Sequence, residues 1–344
     1  MSHKILLAAG GTGGHIIPSI AFGKYLQEQG ESVIWLSGSR ALEGEIYKAH
    51  GVSPIKLDFE GSPLGVSGAR ALKRWGQLVS SFFRCRSILK KEGVDAGVLF
   101  GGYLSLPVMA AAKSLGIKVL MHEQNAVAGK VTRLAYKLNV PITCAWEECS
   151  GLPEGKTAFV GMPLRQIKLK DKKQAQKELL GYSLPEGEKL VVILGGSLGS
   201  GGMKKVLQDA QNMLKSTSYR IMCMGIRESE KPFPEALTHG PLWDMSPVYS
   251  AADVVVCRAG ASTLAEIMAL KVPTVVVPWL RAADNHQVSN AKLFSKLTGA
   301  PTFIENSSQD SFLSALASAP ERGACGDMCA GQRKLYKVLR SLID

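Results

Sequence analysis

The sequence predicts an α/β protein of two successive domains, each a parallel sheet with helices on both faces. Three observations predict it. Apolar residues 5–9 run straight into Gly10-Gly-Thr-Gly-Gly-His15 and then a helical pattern: a buried strand, a tight turn and a helix start. The same order returns at residues 190–194, which lead into Gly195-Gly-Ser-Leu-Gly-Ser-Gly-Gly202. Finally, 344 residues exceed what one core of ordinary size holds.

Taken in order, residues 16–28 read as the first helix, 32–36 as a β-branched strand, 41–50 as a second helix and 54–57 as a strand. Residues 61–68 are loop material. Strand 96–100 runs into Gly101-Gly-Tyr103, helix 104–115 follows, and strand 118–122 delivers His122-Glu-Gln-Asn125. After a hinge at 160–165 and a charged run at 168–177, strand 189–194 feeds the second glycine turn and helix 203–215. Strand 220–224, a short helix at 247–252 and strand 253–257 come next. Arg258-Ala-Gly-Ala-Ser-Thr263 then opens helix 264–269. Strand 273–278, Asp284-Asn-His-Gln287, helix 288–297 and a basic helix from 331 to 343 complete the chain. The expected domains are 1–160 and 161–326, with 327–344 a terminal helix that packs back on the first. In such sheets ligands lie beyond the carboxyl ends of the strands. Thr12, His15, Tyr103 and residues 123–125 therefore matter most in the first half.

Composition narrows the class. Hydrophobic residues at 46% and charged ones at 20% describe a soluble globular protein. No apolar run reaches the ~20 residues that span a bilayer, and no signal peptide is expected at the start. Seven cysteines without paired CxxC motifs read as reduced cytosolic thiols. Cys325 and Cys329 lie one helical turn apart with no histidine nearby, so no metal site is expected. The net charge of +12 calls for anionic lipid, nucleic acid or an anionic substrate. Residues 70–91 hold seven of the cations and no acid, with Leu72, Trp75, Val79, Phe82, Phe83 and Leu89 at helical spacing. Either this is a helix packed on the sheet with a solvated basic face, or an interfacial helix. In the second case aromatics enter a headgroup layer beside Lys and Arg.

Glycine turns ahead of helices bring backbone N–H groups and a positive dipole end to an anion. Neither GxGxxG nor a Walker A loop is present. The 259–263 turn suits a diphosphate without a metal. Glu266, three residues past Thr263, either accepts the two hydroxyls of a ribose or serves as capping-box partner to Ser262 or Thr263.

Taken together, Gly10 to His15, Gly101 to Tyr103, His122 to Asn125, Gly195 to Ser197, Cys257 to Gly260 through Glu266, and Asp284 to Gln287 stand in one order. In that order they resemble the bacterial N-acetylglucosaminyltransferases that convert lipid I to lipid II in peptidoglycan synthesis. The resemblance runs from Lys4 to about residue 300. It implies a GT-B architecture, two Rossmann-like domains facing a central cleft. It also implies inverting, metal-independent transfer of GlcNAc from UDP-GlcNAc to the C4 hydroxyl of undecaprenyl-linked MurNAc-pentapeptide, with no cofactor.

The family's donor contacts fall on Thr12, Gly13, Gly14, Asn125, Arg165, Ser197, Leu242, Ala261, Ser262, Thr263, Leu264, Ala265, Glu266 and Gln287. His15 stands where the family's proposed general base stands. A polyprenyl acceptor implies a peripheral enzyme at the cytoplasmic face of the inner membrane. Arg70, Lys73, Arg74, Trp75, Phe82, Phe83, Arg84 and Arg86 are the expected docking residues on an anionic surface. Three positions depart from the family pattern: Met162 for Asn, Leu198 for Gln, and Ala128 where Pro is common. The competing readings are a relative with another acceptor and a UDP-GlcNAc 2-epimerase. A nucleic-acid-binding protein lacks any motif to support it, and an NAD enzyme lacks the acidic residue due about 20 positions past the first turn.

Overall fold

The computed structural model describes residues 2–63, 66–195, 203, 211, 217–305, 307 and 309–344. The chain divides into two compact units, one made of Met1–Arg165 with Cys329–Asp344, the other of Gln166–Met328.

The first unit holds a parallel sheet of seven strands in the order β3-β2-β1-β4-β5-β6-β7. These are β1 (Lys4–Ala8), β2 (Ser32–Ser37), β3 (Ile55–Lys56), β4 (Ala96–Leu99), β5 (Lys118–Glu123), β6 (Ile142–Cys144) and β7 (Ala158–Phe159). The continuous apolar runs of β1 and β4 follow from burial on both faces. Helices α1 (Gly13–Glu28), α2 (Ala41–Ala49), α3 (Gly68–Glu92), α4 (Ser105–Ser114) and α5 (Lys130–Lys137) connect the strands. The second unit repeats the scheme as β10-β9-β8-β11-β12, from β8 (Lys189–Leu194), β9 (Tyr219–Met224), β10 (Leu237–His239), β11 (Val254–Cys257) and β12 (Thr274–Val276). Its helices include α6 (Lys172–Leu180), α7 (Ser246–Ala251), α8 (Ala261–Leu270), α9 (His286–Thr298) and α10 (Gln309–Ala317). In both units the first strand is central and the order reverses beside it, which is the doubly wound rule.

The last helix, α11 (Ala330–Ile343), clusters with the first unit. Gly331 makes that docking possible, because a Cβ there would lie 2.2 Å from the Met162 carbonyl oxygen. Tyr336 Oη then donates to Glu31 Oε1 at 2.7 Å, and Arg340 Nη1 reaches the same oxygen at 3.3 Å. Cys325 lies outside this helix and Cys329 is its N-cap, so the two do not share a helical turn.

Two helix starts differ from the sequence reading, and both move toward the turn. Helix α1 begins at Gly13, not residue 16: Thr12 is the N-cap, and its carbonyl accepts from His15 N and Ile16 N. Helix α8 begins at Ala261, not residue 264, with Gly260 as N-cap. Strand β3 shrinks to two residues. The short strands β6, β7 and β10 and the helices α5 and α10 are absent from the sequence reading, because each carries too few residues for a clear period.

Helix α3 turns four of its six stripe residues outward and keeps Leu89 buried. Its buried face is Gln77, Ser81, Cys85 and Leu89, at four-residue spacing. Leu72 (76% exposed), Trp75 (49%), Val79 (54%) and Phe83 (62%) look to solvent. The reading of this stripe as packed on the sheet is therefore corrected for those four. For Phe82 it holds in part, since Phe82 is half-buried against the core of the sheet. Nor are all the cations free: Arg74 Nη1 donates to Ser62 O, Arg86 Nη1 donates to Ser114, and Lys73 pairs with Glu60 at 3.5 Å.

Candidate active site

At the carboxyl ends of β1, β4 and β5 the first unit brings three turns together. The Gly10–His15 turn puts His15 at the third position of α1. Gly101 and Gly102, with φ of 77° and 71°, pass directly over it. A Cβ on Gly102 would lie 2.6 Å from the Gly10 carbonyl oxygen and 3.4 Å from the His15 ring, so neither a left-handed backbone nor this closeness suits another residue. From β5 comes Gln124, whose Oε1 is 2.7 Å from His15 Nδ1.

Beneath the turn lies Glu43 of α2, fully buried. Its Oε1 accepts from Gly11 N at 2.7 Å and from Tyr103 Oη at 2.6 Å. Burial first, and the neighbouring Glu43 second, push the Tyr103 phenol well above its usual range, so it stays protonated and donates. One N–H of the glycine turn is thus already engaged inside the protein. Sequence reasoning missed Glu43, although a signal exists. Ile46 and Tyr47, three and four residues on, are core residues, which places a carboxyl group on the apolar face of α2.

The His122–Asn125 run divides its labour. His122 is wholly buried, Nδ1 lies 3.1 Å from Thr143 Oγ1, and burial drops its pKa to about 3, so the ring is neutral. Glu123 accepts from Asn125 N and Nδ2, Gly129 N and Thr132 Oγ1, holding the loop that ends at α5. A carboxylate so fully used and 4% exposed is a structural anchor, not a base. Asn125 thereby has its amide nitrogen held by Glu123. Ala128 N donates to Ser150 O at 2.8 Å, a bond that the proline common at this position cannot make.

In the second unit, Arg258 closes the end of β11: its Nη2 donates to Glu305 Oε1 at 2.6 Å and its Nη1 to Val277 O at 3.3 Å. The Cys257 thiol, buried, is pushed up to about 12 and is inert. Ala261, Ser262 and Thr263 form the first turn of α8, where backbone N–H groups point out of the helix. Glu266 is then its sixth residue, 3% exposed, and its Oε2 accepts from Tyr249 Oη at 2.8 Å. The capping-box reading of Glu266 is overturned, since the N-cap is Gly260, six residues ahead. Tyr249 is the second residue missed. Every residue of its six-residue helix is buried, so the pattern has no period to expose it.

Asp284 and Asn285 both have positive φ, 52° and 53°, just before α9. Two consecutive left-handed residues other than glycine cost ~1–3 kcal/mol each and concentrate at functional turns. They aim the start of α9, where Gln287 Oε1 accepts from Trp279 N at 2.9 Å. Gln287 therefore offers a ligand its NH2 group. Arg165 and Leu242 are both partly exposed, at the end of the first unit and ahead of α7 respectively. Met162 is buried in the first unit. Ser197 and Leu198, like the helix at 203–215, lie outside the described residues, apart from Met203 and Gln211.

Two doubly wound parallel units with helix N-termini at glycine turns fit the GT-B architecture, and the family matches make this one a glycosyltransferase. Residues 5–140 match the glycosyltransferase family 28 N-terminal domain and residues 190–317 its C-terminal domain. A protein of Psychromonas ingrahamii named UDP-N-acetylglucosamine–N-acetylmuramyl-(pentapeptide) pyrophosphoryl-undecaprenol N-acetylglucosamine transferase is 32% identical over 84% of this chain and 81% of its own length. Its namesake in Azotobacter vinelandii is 31% identical over 100% of this chain and 98% of its own. The crystal structure of Acinetobacter baumannii MurG superposes with a TM-score of 0.69 at 24% identity, covering 99% of each chain, and supports the fold. The chain belongs to glycosyltransferase family 28, among the transferases that carry this name.

Proposed function

We propose that the chain is an inverting, metal-independent transferase that moves GlcNAc from UDP-GlcNAc to the C4 hydroxyl of lipid-linked MurNAc-pentapeptide, making lipid II. The observation that carries this reading is the 30–32% identity with transferases of that name over most or all of the chain. In the mechanism, the acceptor hydroxyl gives its proton to His15 Nε2 as its oxygen bonds to the anomeric carbon. The bond from that carbon to the β-phosphate oxygen breaks, and UDP leaves with the electron pair on the opposite face of the sugar. Inversion requires that opposition.

The negative charge on departing UDP is met by the first turn of α8, the hydroxyls of Ser262, Thr263 and Ser197, and Arg165. Glu266 takes the ribose, Leu242 the uracil through its main chain, and Gln287 the sugar. Ala261, Leu264 and Ala265, buried in the first turns of α8, contribute through their backbone. Thr12, Gly13, Gly14 and Asn125 complete the donor contacts. Incubation with labelled UDP-GlcNAc and lipid I tests the reading. A labelled disaccharide lipid supports it, while release of free sugar or epimerised UDP-sugar without a lipid product sinks it.

A polyprenyl acceptor stays in the bilayer, and among the described residues no helix is long and apolar enough to cross one. Peripheral docking at the cytoplasmic face through α3 meets that need, with its outward Trp75, Val79 and Phe83 beside Arg70, Lys73 and Arg84. Replacing the three apolar residues by Ser is expected to remove binding to anionic liposomes at any salt. Replacing the three cations is expected to remove it at low salt, since each is worth ~1 kcal/mol and is screened. Arg74 and Arg86 are left in place because they tie α3 to its neighbours. Binding that survives both sets excludes α3.

A further inference from the structure

We infer that Gln124 is a positioning residue that fixes His15 in the one tautomer able to accept the acceptor's proton. The inference rests on the reading of His15 as the base.

Two hydrogen bonds decide the matter. Gln124 Nε2 lies 2.6 Å from the His122 carbonyl oxygen. A carbonyl only accepts, so this end of the amide is the NH2 group, and the reverse orientation would set two oxygens against each other. Its Oε1 is then the atom 2.7 Å from His15 Nδ1. An amide oxygen also only accepts, so Nδ1 carries the hydrogen. Neutral imidazole has one N–H, and Nε2 is left with the lone pair. Free histidine prefers the other tautomer, with its proton on Nε2, which has nothing to accept with.

The chain builds Gln124 to hold this orientation. The residue is 2% exposed, and its own carbonyl accepts from Trp146 Nε1 at 2.9 Å. Its partner carbonyl belongs to His122, whose wholly buried ring packs on Phe100 with centroids 5.6 Å apart. Gly101 closes over the same edge of the His15 ring, where a Cβ would stand 3.3 Å from His15 Cε1, 3.4 Å from Nδ1 and 3.7 Å from Gln124 Oε1. The arrangement has the logic of a serine-protease triad, in which a carboxylate orients the base. Here a neutral amide does the orienting. It fixes the tautomer without adding a charge that would hold the imidazolium in its protonated form. When the hydroxyl proton arrives on Nε2, the Nδ1–H bond to Gln124 is unchanged, and the proton leaves from the atom it entered.

The test combines spectroscopy with kinetics. In 15N-labelled protein, His15 ring nitrogens are assigned by comparison with H15A. The wild type is expected to show Nδ1 protonated and Nε2 bearing a lone pair once the ring is neutral. Q124M removes both hydrogen bonds at similar volume, and is expected to shift the population toward Nε2–H. It should lower kcat by roughly ten- to a hundredfold, as loss of a hydrogen bond to the imidazolium formed in the transition state implies, with KM for UDP-GlcNAc changed less than about twofold. Q124E keeps an acceptor toward Nδ1 and is expected to keep that tautomer, while its second oxygen, set against the His122 carbonyl, and its charge leave the turnover only partly restored.

Wild-type His15 found mainly as the Nε2–H tautomer overturns the inference. So does Q124M with wild-type kcat. UDP calorimetry and thermal melting confirm that each variant is folded. Should Q124M not fold, the wild-type spectrum and Q124E decide. Full turnover in H15A is a separate result: it removes His15 as the base, whatever tautomer the spectrum shows.

Discussion

The turns that open α1 and α8 are built from similar parts arranged to opposite ends. Each follows a buried central strand, begins a helix with small residues, and keeps a buried carboxyl group hydrogen-bonded to a buried tyrosine. In the first turn the carboxyl group, Glu43, comes from another helix and sits behind the loop, where it takes the Gly11 N–H. In the second, Glu266 belongs to the helix that the turn starts and takes the Tyr249 hydroxyl. One turn is thus stiffened to present a side chain, His15. The other is left to present its backbone, which in the proposed function receives the diphosphate. A glycine-rich turn before a helix is therefore not one device, and where the nearest carboxyl group enters decides which device it becomes.

The largest expected effect breaks the first half of this comparison. His15→Ala should lower kcat by ~10²–10⁴-fold, the usual contribution of a general base, and leave UDP affinity near that of the wild type. Steady-state rates beside calorimetry of UDP measure both. A variant whose UDP affinity falls as far as its turnover would make His15 a donor contact like Glu266 and not the base. Next in size, Glu266→Ala should raise KM for UDP-GlcNAc roughly ten- to a hundredfold, since a hydrogen bond to a charged group is worth ~1.5–3 kcal/mol. An unchanged KM in a folded variant would remove the ribose assignment and leave Glu266 a structural partner of Tyr249.

The strand framework of both units is legible in the sequence because β1, β4, β8 and β11 are buried along nearly their whole length and so read as unbroken apolar runs. The helix starts are less legible. Glycine is a poor helix former, so Gly13 and Gly14 read as loop, yet both belong to α1, whose first bonds run from His15 N and Ile16 N to the Thr12 carbonyl. Periodicity places an apolar stripe on α3 but cannot say which side meets the sheet. There the small residues Ser81 and Cys85 face inward while Trp75 and Phe83 face out. The motif residues His15, Gln124 and Glu266 stand out in the sequence. Their partnerships do not, because His15 and Gln124 are 109 positions apart and Tyr103 and Glu43 are 60. Only the fold brings such pairs within reach.

Glu43→Ala sharpens the contrast from the side of stability. It leaves the Gly11 N–H and the Tyr103 hydroxyl without their acceptor in the interior, which costs ~1–3 kcal/mol. For a unit of this size each kcal/mol shifts Tm by about 2–4 °C. Thermal melting should show a loss of several degrees, and Glu43→Gln, which keeps an accepting oxygen, should recover most of it. A Tm equal to that of the wild type in Glu43→Ala would mean the turn holds its shape without the carboxyl group.

The smallest expected effect concerns the second turn. Tyr249→Phe removes only the hydroxyl that donates to Glu266 Oε2, and the ring, 1% exposed, stays packed. Glu266 would keep its charge and its place on α8 but lose one constraint on its rotamer. The hydroxyl acts on the donor only through the carboxylate, so KM for UDP-GlcNAc should rise by about two- to tenfold, less than in Glu266→Ala, while kcat holds. The double variant with Glu266→Ala should be no worse than Glu266→Ala alone, because a tyrosine that acts through the carboxylate has nothing left to position. If the two losses instead add, Tyr249 contributes to the fold or the donor by its own route, and the resemblance to the Tyr103–Glu43 pair is one of parts without a shared role.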